Sequence, residues 1–184
     1  MRKVTLGVIG LGNMGRGIAA NIARAGSELA VWDIADRAMR PFEGKSRVRI
    51  LEPAEMARRC SVIFFVVPGS PDIEALLQGE NGILANARAG LVLVDLTTSD
   101  PAHTRRLARK AAGRGVAYLD AGMSGGASGA DAGTLTLMIG GDAKAFRRTR
   151  RCLGAFAQEL FCVPAVRAPG GRVDSGGGHS SSAA

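Results

Sequence analysis

Little in the 184-residue sequence suits a secreted, metal-binding or membrane-spanning protein. Aromatic residues make up 4% of the chain, and there are only two histidines and three cysteines. The cysteines, Cys60, Cys152 and Cys162, are odd in number and lack metal-like spacing, so we expect free thiols and no metal site. No apolar run approaches the roughly 20 residues that a membrane-spanning helix needs, so we expect no membrane partner.

The first ten residues, MRKVTLGVIG, place two basic residues before an apolar run, as a signal peptide does. The run is short, is interrupted by glycine and lacks a following cleavage pattern, so we interpret it as a buried strand. Together with free thiols, which persist in a reducing compartment, this interpretation predicts a cytoplasmic protein.

The charge balance is basic, with 24 Lys and Arg against 16 Asp and Glu and a net charge of +8. Such an excess fits anionic partners and equally fits a GC-rich coding bias. The segment FRRTRR at residues 146–151 places four arginines on one predicted helix. No aromatic stacking platform or binding motif accompanies them, so we expect a solvated helix face and no nucleic-acid partner.

Apolar runs of strand length alternate with helical patterns over most of the chain. Strands are predicted at residues 4–10, 29–33, 47–50, 61–68, 91–96, 116–122 and 134–141. Helices are predicted around residues 14–25, 53–59, 71–78 and 101–112, and a last one from Asp142 to about residue 158. Uniformly apolar strands that alternate with helices predict the α/β class, with a doubly wound, mostly parallel sheet of the Rossmann type.

The pattern stops near the C-terminus of the sequence. Residues 164–184, PAVRAPGGRVDSGGGHSSSAA, consist mainly of Gly, Ser, Pro, Ala and Arg, with two valines as the only branched apolar residues. This composition buries too little surface to offset the entropy of ordering. We therefore expect one dinucleotide-binding domain at residues 1–163 and a disordered tail at 164–184.

The dinucleotide-binding interpretation starts from GLGNMG, which has glycines at the GxGxxG spacing and lies between a predicted strand and a predicted helix. The first glycine permits a tight turn, the second lets the backbone approach a pyrophosphate, and the third lets the helix pack closely on the strand. The pyrophosphate would then lie at the helix N-terminus. The predicted cofactor-binding residues of this segment are Gly10, Leu11, Gly12, Asn13, Met14 and Gly15.

Asp33 ends the second predicted strand, where a carboxylate can accept hydrogen bonds from the ribose hydroxyls of NAD. The same carboxylate would repel the extra phosphate of NADP. Arg37 lies close in sequence and could offset that repulsion. NAD is therefore the predicted cofactor, with NADP kept as an alternative.

These residues resemble those of a known family. VIGLGNMGRGIAANI resembles the N-terminal signature of the 3-hydroxyisobutyrate dehydrogenase family of β-hydroxyacid dehydrogenases, which includes tartronate semialdehyde reductases and has 6-phosphogluconate dehydrogenase as a relative. VVP at residues 66–68 resembles the family's loop along the cofactor, which implies cofactor contacts by Val67 and Pro68. DLTTSDP at residues 95–101 resembles a family motif in which the position of Thr98 lies by the nicotinamide.

A fourth motif, DAGMSGGASGADAGTLTLMIGG at residues 120–141, resembles the family's substrate segment. The resemblance implies that Ser124, Gly125 and Gly126 hold the substrate carboxylate. Gly122 stands where the family usually has proline, so a less rigid loop is expected there. Without the resemblance, the same glycine-rich stretch could equally be read as a flexible loop.

The resemblance also implies a general acid/base lysine in a later glycine-rich segment, which opens an all-helical domain that closes the cleft and builds the dimer. None of the four lysines, Lys3, Lys45, Lys110 and Lys144, occupies a matching segment. We therefore expect no catalytic residue in this chain, a C-terminal helical domain that is absent, and a family dimer interface that is largely missing. His103 is expected to be a surface residue rather than a substitute base.

Two functional hypotheses follow. The first is an NAD(P)-dependent oxidoreductase domain that moves hydride between nicotinamide and a small β-hydroxyacid, truncated before the family's lysine and impaired on its own. The second is a non-catalytic NAD(P)-binding remnant or interaction module. Both require a bound dinucleotide, and turnover separates them.

Overall fold

The computed structural model describes residues 5–163, so the predicted tail at 164–184 lies outside the described residues. The strands are β1 (Thr5–Ile9), β2 (Glu28–Trp32), β3 (Val48–Ile50), β4 (Val62–Phe65), β5 (Val92–Asp95), β6 (Ala117–Ser124), β7 (Leu135–Gly141) and β8 (Ala157–Val163). The helices are α1 (Asn13–Arg24), α2 (Asp36–Met39), α3 (Pro53–Arg59), α4 (Ser70–Leu77), α5 (Ile83–Asn86), α6 (Pro101–Ala112), α7 (Gly126–Ala132) and α8 (Ala143–Leu153). None of these helices combines the length and hydropathy needed to cross a membrane.

The strands form one sheet in the order β3-β2-β1-β4-β5-β6-β7-β8. All neighbouring pairs are parallel except β6 and β7, which are antiparallel. The order reverses between β1 and β4, and such a switch point is where open α/β sheets bind ligands. The predicted doubly wound, mostly parallel sheet of the Rossmann type is confirmed.

The sheet has a separate apolar core on each face, because helices cover both sides. One core packs α1, α7 and α8 against the sheet and includes Ile18, Ala130 and Leu153. The other includes Met56 of α3 and Leu107 of α6. Strands β4 and β5 are buried at every position, which explains why their sequences are continuous apolar runs rather than alternating ones.

The C-terminal part of the described chain differs from the prediction. The last helix was expected to reach about residue 158, but α8 ends at Leu153 and Gly154 follows it. An eighth strand, β8, then pairs in parallel with β7. Phe156, which the prediction placed in the helix, lies in the turn before β8, fully buried and edge-on to Phe64 with 5.4 Å between ring centroids.

The glycine-rich segment after β6 also differs from a plain loop. Residues 126–132 form α7, which packs closely against α1. A side chain at Gly17 would collide with Ala130 and Asp131, so glycine is required where the two helices meet. Gly122 lies inside β6 opposite Met138, so it occupies a paired strand position rather than a loop.

Phe156 anchors the α8–β8 connection to the centre of the sheet. Replacing it with alanine leaves a cavity beside Phe64, so we expect Phe156→Ala to lower the free energy of unfolding by about 3–5 kcal/mol. Ile50→Ala, on the partly exposed edge strand β3, is the matched control and should cost below about 1 kcal/mol. Urea denaturation of both variants measures the difference, and equal costs would contradict this packing role.

Candidate functional site

A cleft of about 700 Å³ opens at the carboxyl ends of β1, β2, β4 and β5, at the point where the strand order reverses. Its wall is mainly apolar, and glycines form one side of it. The lining residues are Gly10, Gly12, Asn13, Met14, Gly15, Trp32, Asp33, Ile34, Val66, Val67, Pro68, Asp72, Ala75, Leu76, Leu96, Thr97, Thr98 and Met123.

Two of the glycines at the start of α1 are required by the protein's own packing. Gly10 has φ of +94°, and a Cβ atom there would collide with the carbonyl of Val66. A Cβ atom at Gly15 would collide with the carbonyl of Gly10. These contacts hold the β1–α1 turn tightly against β4, so no larger residue fits at either position.

No contact inside the protein requires glycine at position 12. A Cβ atom there would meet no protein atom within 4 Å, because the residue faces the open cleft. The first amides of α1 lack partners within the helix, and no side chain caps this end. A bare backbone, unpaired N–H groups and the positive end of a twelve-residue helix together suit an anionic group held in the cleft.

Asp33 joins the ends of β1 and β2. Its Oδ2 accepts a hydrogen bond from the Leu11 amide at 2.6 Å, and its Oδ1 accepts one from the Ala35 amide at 2.8 Å. Leu11 itself is buried and is not a lining residue, so its amide serves the loop. Each carboxylate oxygen has a second lone pair, and the side chain is only partly buried at the cleft wall, so it can also accept from a ligand hydroxyl.

The loop after β5 is held by a buried carboxylate that the sequence interpretation did not single out. Asp95 is 0% exposed and accepts hydrogen bonds from the Thr97 amide, the Ser99 hydroxyl and the Tyr118 hydroxyl, at 2.8, 3.1 and 2.8 Å. Burial, with the negative charge of Asp95, raises the pKa of Tyr118, so the phenol stays a donor. This network fixes the loop that presents Thr98 to the cleft.

A further aspartate, Asp120, lies beside Asp95 on the neighbouring strand β6. Burial raises the pKa of Asp120, and the charge of Asp95 raises it further. Asp120 does not line the cleft, so the structure gives it no direct part in ligand binding.

The predicted substrate residues lie at the edge of this arrangement. Ser124 ends β6, and Gly125 and Gly126 have φ of +122° and +60° at the start of α7. All three are exposed, and none of them lines the cleft, although Met123 immediately before them does. The loop is therefore adjacent to the cleft through Met123.

The buried amide of Asn21 fixes α7 to α1, the helix whose N-terminus lines the cleft. It donates to the carbonyls of Ala130 and Asp131, at 2.7 and 3.2 Å, and its Oδ1 accepts from Arg24 at 2.7 Å. Asn21 is 5% exposed, so these bonds are shielded from water. A polar residue on the buried face of an otherwise apolar helix was the signal that could have identified this contact.

The structure brings together most of the predicted cofactor residues. The cleft contains Gly10, Gly12, Asn13, Met14, Gly15, Asp33, Val67, Pro68 and Thr98. Sequence reasoning missed the apolar wall formed by Trp32, Ile34, Leu76 and Met123. The available sequence signal was Ile34, an apolar residue directly after a strand-terminal aspartate. In the structure Ile34 is 88% exposed at the cleft wall.

Titratable groups are scarce in the cleft. Among its lining residues the only acidic side chains are those of Asp33 and Asp72, and none is lysine or histidine. Asp72 accepts a hydrogen bond from the Gly69 amide at 2.9 Å, which caps α4. Both carboxylates therefore have structural partners, and among the described residues no lysine or histidine lines the cleft as a proton acceptor.

His103, which was expected to be a surface residue, has a side chain that is 17% exposed and belongs to an ion cluster between α4 and α6. A carboxylate oxygen of Glu74 on α4 lies within 3.2 Å of side-chain nitrogens of His103, Arg106 and Lys110 of α6. Hydrogen bonds from Lys110 first, with Arg106 adding to them, lower the pKa of Glu74 to about 2. Neighbouring residues of α4, including Leu76, line the cleft, so the cluster fixes one of its walls.

The fold and the cleft together define a dinucleotide-binding α/β domain: a switch-point cleft, a glycine turn, a free helix N-terminus and a strand-terminal carboxylate. A family model described as the NAD binding domain of 6-phosphogluconate dehydrogenase matches residues 5–164. The chain therefore belongs to this family of NAD-binding domains.

Similar proteins include the 2-hydroxy-3-oxopropionate reductase of Escherichia coli K12, which is 39% identical over 158 residues, 86% of this chain and 54% of that protein. The structure of Mycobacterium tuberculosis 3-hydroxyisobutyrate dehydrogenase with L-serine has a TM-score of 0.80 and 30% identity, and the match covers 88% of this chain and 55% of that one. A structure of Psf3 with NADP+ and 2-OPP has a TM-score of 0.81 and 26% identity, with 86% of this chain and 56% of that one covered. The chain spans about half the length of the curated relatives it matches.

The Glu74 cluster predicts a pH-dependent stability. Because the pKa of Glu74 falls from its usual 4.5 to about 2 on folding, its stabilising contribution is present above pH 4.5 and is lost as the pH falls toward 2. We expect Glu74→Gln to be less stable than the wild type at pH 7, with a difference that shrinks between pH 4.5 and 2. Denaturant unfolding across this range measures it.

Glu55→Gln is the control, because Glu55 forms an exposed ion pair with Arg59 alone, within one helix. It should change stability little at any pH. A stability difference between Glu74→Gln and the wild type that stays constant down to pH 2 would contradict the lowered pKa of Glu74.

Proposed function

We propose that this chain is the nucleotide domain of an oxidoreductase, and that it binds NAD in the cleft at the carboxyl ends of β1, β2, β4 and β5. The observation that carries the proposal is Gly12, which the protein's own packing leaves unexplained and which borders both the cleft and the free amides of α1. A pyrophosphate there would be held by the backbone of Gly12, Asn13 and Met14.

The proposal favours NAD over NADP. Asp33 can accept hydrogen bonds from ribose hydroxyls, whereas a phosphate on the same ribose would meet its negative charge. The neighbouring lining residue is Ile34, which offers no charge to a phosphate. Arg37 is exposed on α2 and does not line the cleft. Val67, Pro68 and Thr98 would contact the nicotinamide half.

For the substrate, we propose a small β-hydroxyacid, with Ser124, Gly125 and Gly126 holding its carboxylate. Support comes from the position of these residues, directly after Met123 of the cleft wall and fixed to α1 through Asn21. Curated relatives are named for small hydroxyacids or their oxo forms, such as 3-hydroxyisobutyrate and 2-hydroxy-3-oxopropionate.

The nicotinamide supplies the hydride chemistry, and a protein must supply orientation and a proton acceptor. The loop at Ser124 would supply orientation, but among the described residues no lysine or histidine lines the cleft. We therefore propose that this chain alone binds the dinucleotide and turns substrate over poorly. That same observation favours the second candidate, a non-catalytic NAD(P)-binding module.

The three free cysteines support a reducing compartment, and we propose the cytoplasm. Small molecules are the proposed partners. The exposed arginines of α8 are proposed to be a solvated face rather than a nucleic-acid site.

Gly12 and Gly10 should respond differently to alanine. Gly12→Ala is expected to fold with an unchanged melting temperature, because its Cβ meets no protein atom, and to bind NAD about tenfold or more weakly through lost phosphate contacts. Gly10→Ala is expected to lower the melting temperature of the free protein, because it forces a clash at Val66. Calorimetric titration and thermal melts measure the two effects, and a Gly12→Ala variant with full NAD affinity contradicts the site.

Turnover separates the two functional candidates. With 3-hydroxyisobutyrate or tartronate semialdehyde, we expect rates about 10²–10⁴-fold below those of the E. coli relative, since a positioned base contributes about that factor. Absorbance of the reduced nicotinamide measures the rate, and NAD binding is confirmed in the same sample. Rates equal to the relative's that fall in Ser124→Ala would contradict the proposed impairment.

A further inference from the structure

The two edges of the sheet differ in how they are protected. Strand β3, at one edge, has three residues, carries Arg49 and follows Arg47. Strand β8, at the other edge, has seven residues, and its last four are Leu160, Phe161, Cys162 and Val163. Short strands and charged side chains keep an edge from pairing with another strand, so β3 is protected and β8 is not.

Exposed apolar side chains are concentrated beside the unprotected edge. Phe161 and Val163 of β8 are 54% and 47% exposed, and Met138 of β7 is 48% exposed. Met138 pairs in register with Phe161, and Val163 pairs with Gly140 on the same side of the sheet. These side chains therefore form one contiguous apolar patch. Exposed apolar patches of this kind mark sites of contact with another protein.

The outer backbone of β8 also lacks a strand partner among the described residues. Its ladder bonds run to β7 alone, so the N–H and C=O groups that point the other way are open to a further strand. Residues 159–163 keep an unbroken register with β7, and the one register shift lies before them. Five consecutive residues are thus held in strand geometry, ready to pair.

We propose that β8 pairs antiparallel with β8 of a second copy of this chain, which joins the two sheets into one across a two-fold axis. A second copy fits because the strand complements itself. With the axis at Phe161, Glu159 lies opposite Val163 of the other copy and Leu160 lies opposite Cys162, so the only charged residue of the strand meets no like charge.

The protected edge explains why this assembly closes. If β8 paired with β3 of another copy, copies would add head to tail without limit, but Arg47 and Arg49 oppose that contact. When β8 of one copy pairs with β8 of a second copy, neither copy keeps an unprotected edge strand. A discrete dimer is therefore the expected product, formed away from the proposed dinucleotide cleft at β1, β2, β4 and β5.

The full 184-residue chain is tested by sedimentation equilibrium at micromolar concentrations. The wild type should approach twice its 19.0 kDa mass, and Phe161→Lys should weaken association by about tenfold or more, because two lysines then face each other at the axis. Ile50→Lys places the same charge on the other edge strand, at a residue that is 40% exposed, and should leave the dimer intact. Circular dichroism checks that each variant is folded.

Val163→Lys repeats the test at the end of the strand if Phe161→Lys fails to fold. The wild type offers a measurement that needs no charge variant, because the two copies of Cys162 flank the axis on paired strands. A short bismaleimide should join two chains. Cys162→Ser should prevent this, whereas Cys152→Ser, at the half-buried thiol of α8, should not, and buried Cys60 does not react. A monomeric wild type, open-ended aggregates, a dimer that resists both lysine variants, or an absence of cross-linking overturns the proposal.

Discussion

The hydrogen bond from the Leu11 amide to Asp33, at 2.6 Å, is the contact on which the site depends. It joins the turn after β1 to the end of β2, the two strands whose carboxyl ends begin the cleft. With the turn fixed there and pressed against Val66 through Gly10, the N-terminus of α1 points into the cleft. Hydrogen bonds and ion pairs fix the other walls of the cleft. Buried Asp95 holds the loop that carries Thr98, and the Glu74 cluster holds α4.

The parts that the sequence predicted well are those governed by local rules. Continuous apolar runs predicted buried parallel strands, and GLGNMG between a strand and a helix predicted the glycine turn. In both cases the residues that form the sequence pattern also make the contacts that fix the local structure. The cleft accordingly contains Gly10, Gly12, Gly15 and Asp33, as the glycine spacing and the strand-terminal carboxylate suggested.

The parts that the sequence did not predict depend on distant contacts. The segment after Asp142 looks helical to residue 158, but Gly154 ends the helix and Phe156 turns inward to meet Phe64, a residue far away in sequence. Asn21, Asp95 and Glu74 likewise act through partners that only the fold brings near. The sequence shows Asn21 as a polar residue on an otherwise apolar helix face, but no local pattern names the partners of these three residues, because the partners come from other elements.

The central claim is that the backbone at the start of α1 holds the pyrophosphate of a nicotinamide dinucleotide. A crystal structure of the chain grown with NAD tests it most directly. We predict pyrophosphate oxygens within hydrogen-bonding distance of the amides of Gly12, Asn13 and Met14, with the ribose hydroxyls on Asp33. A dinucleotide bound elsewhere, or a cleft that stays empty at saturating NAD, would contradict the account.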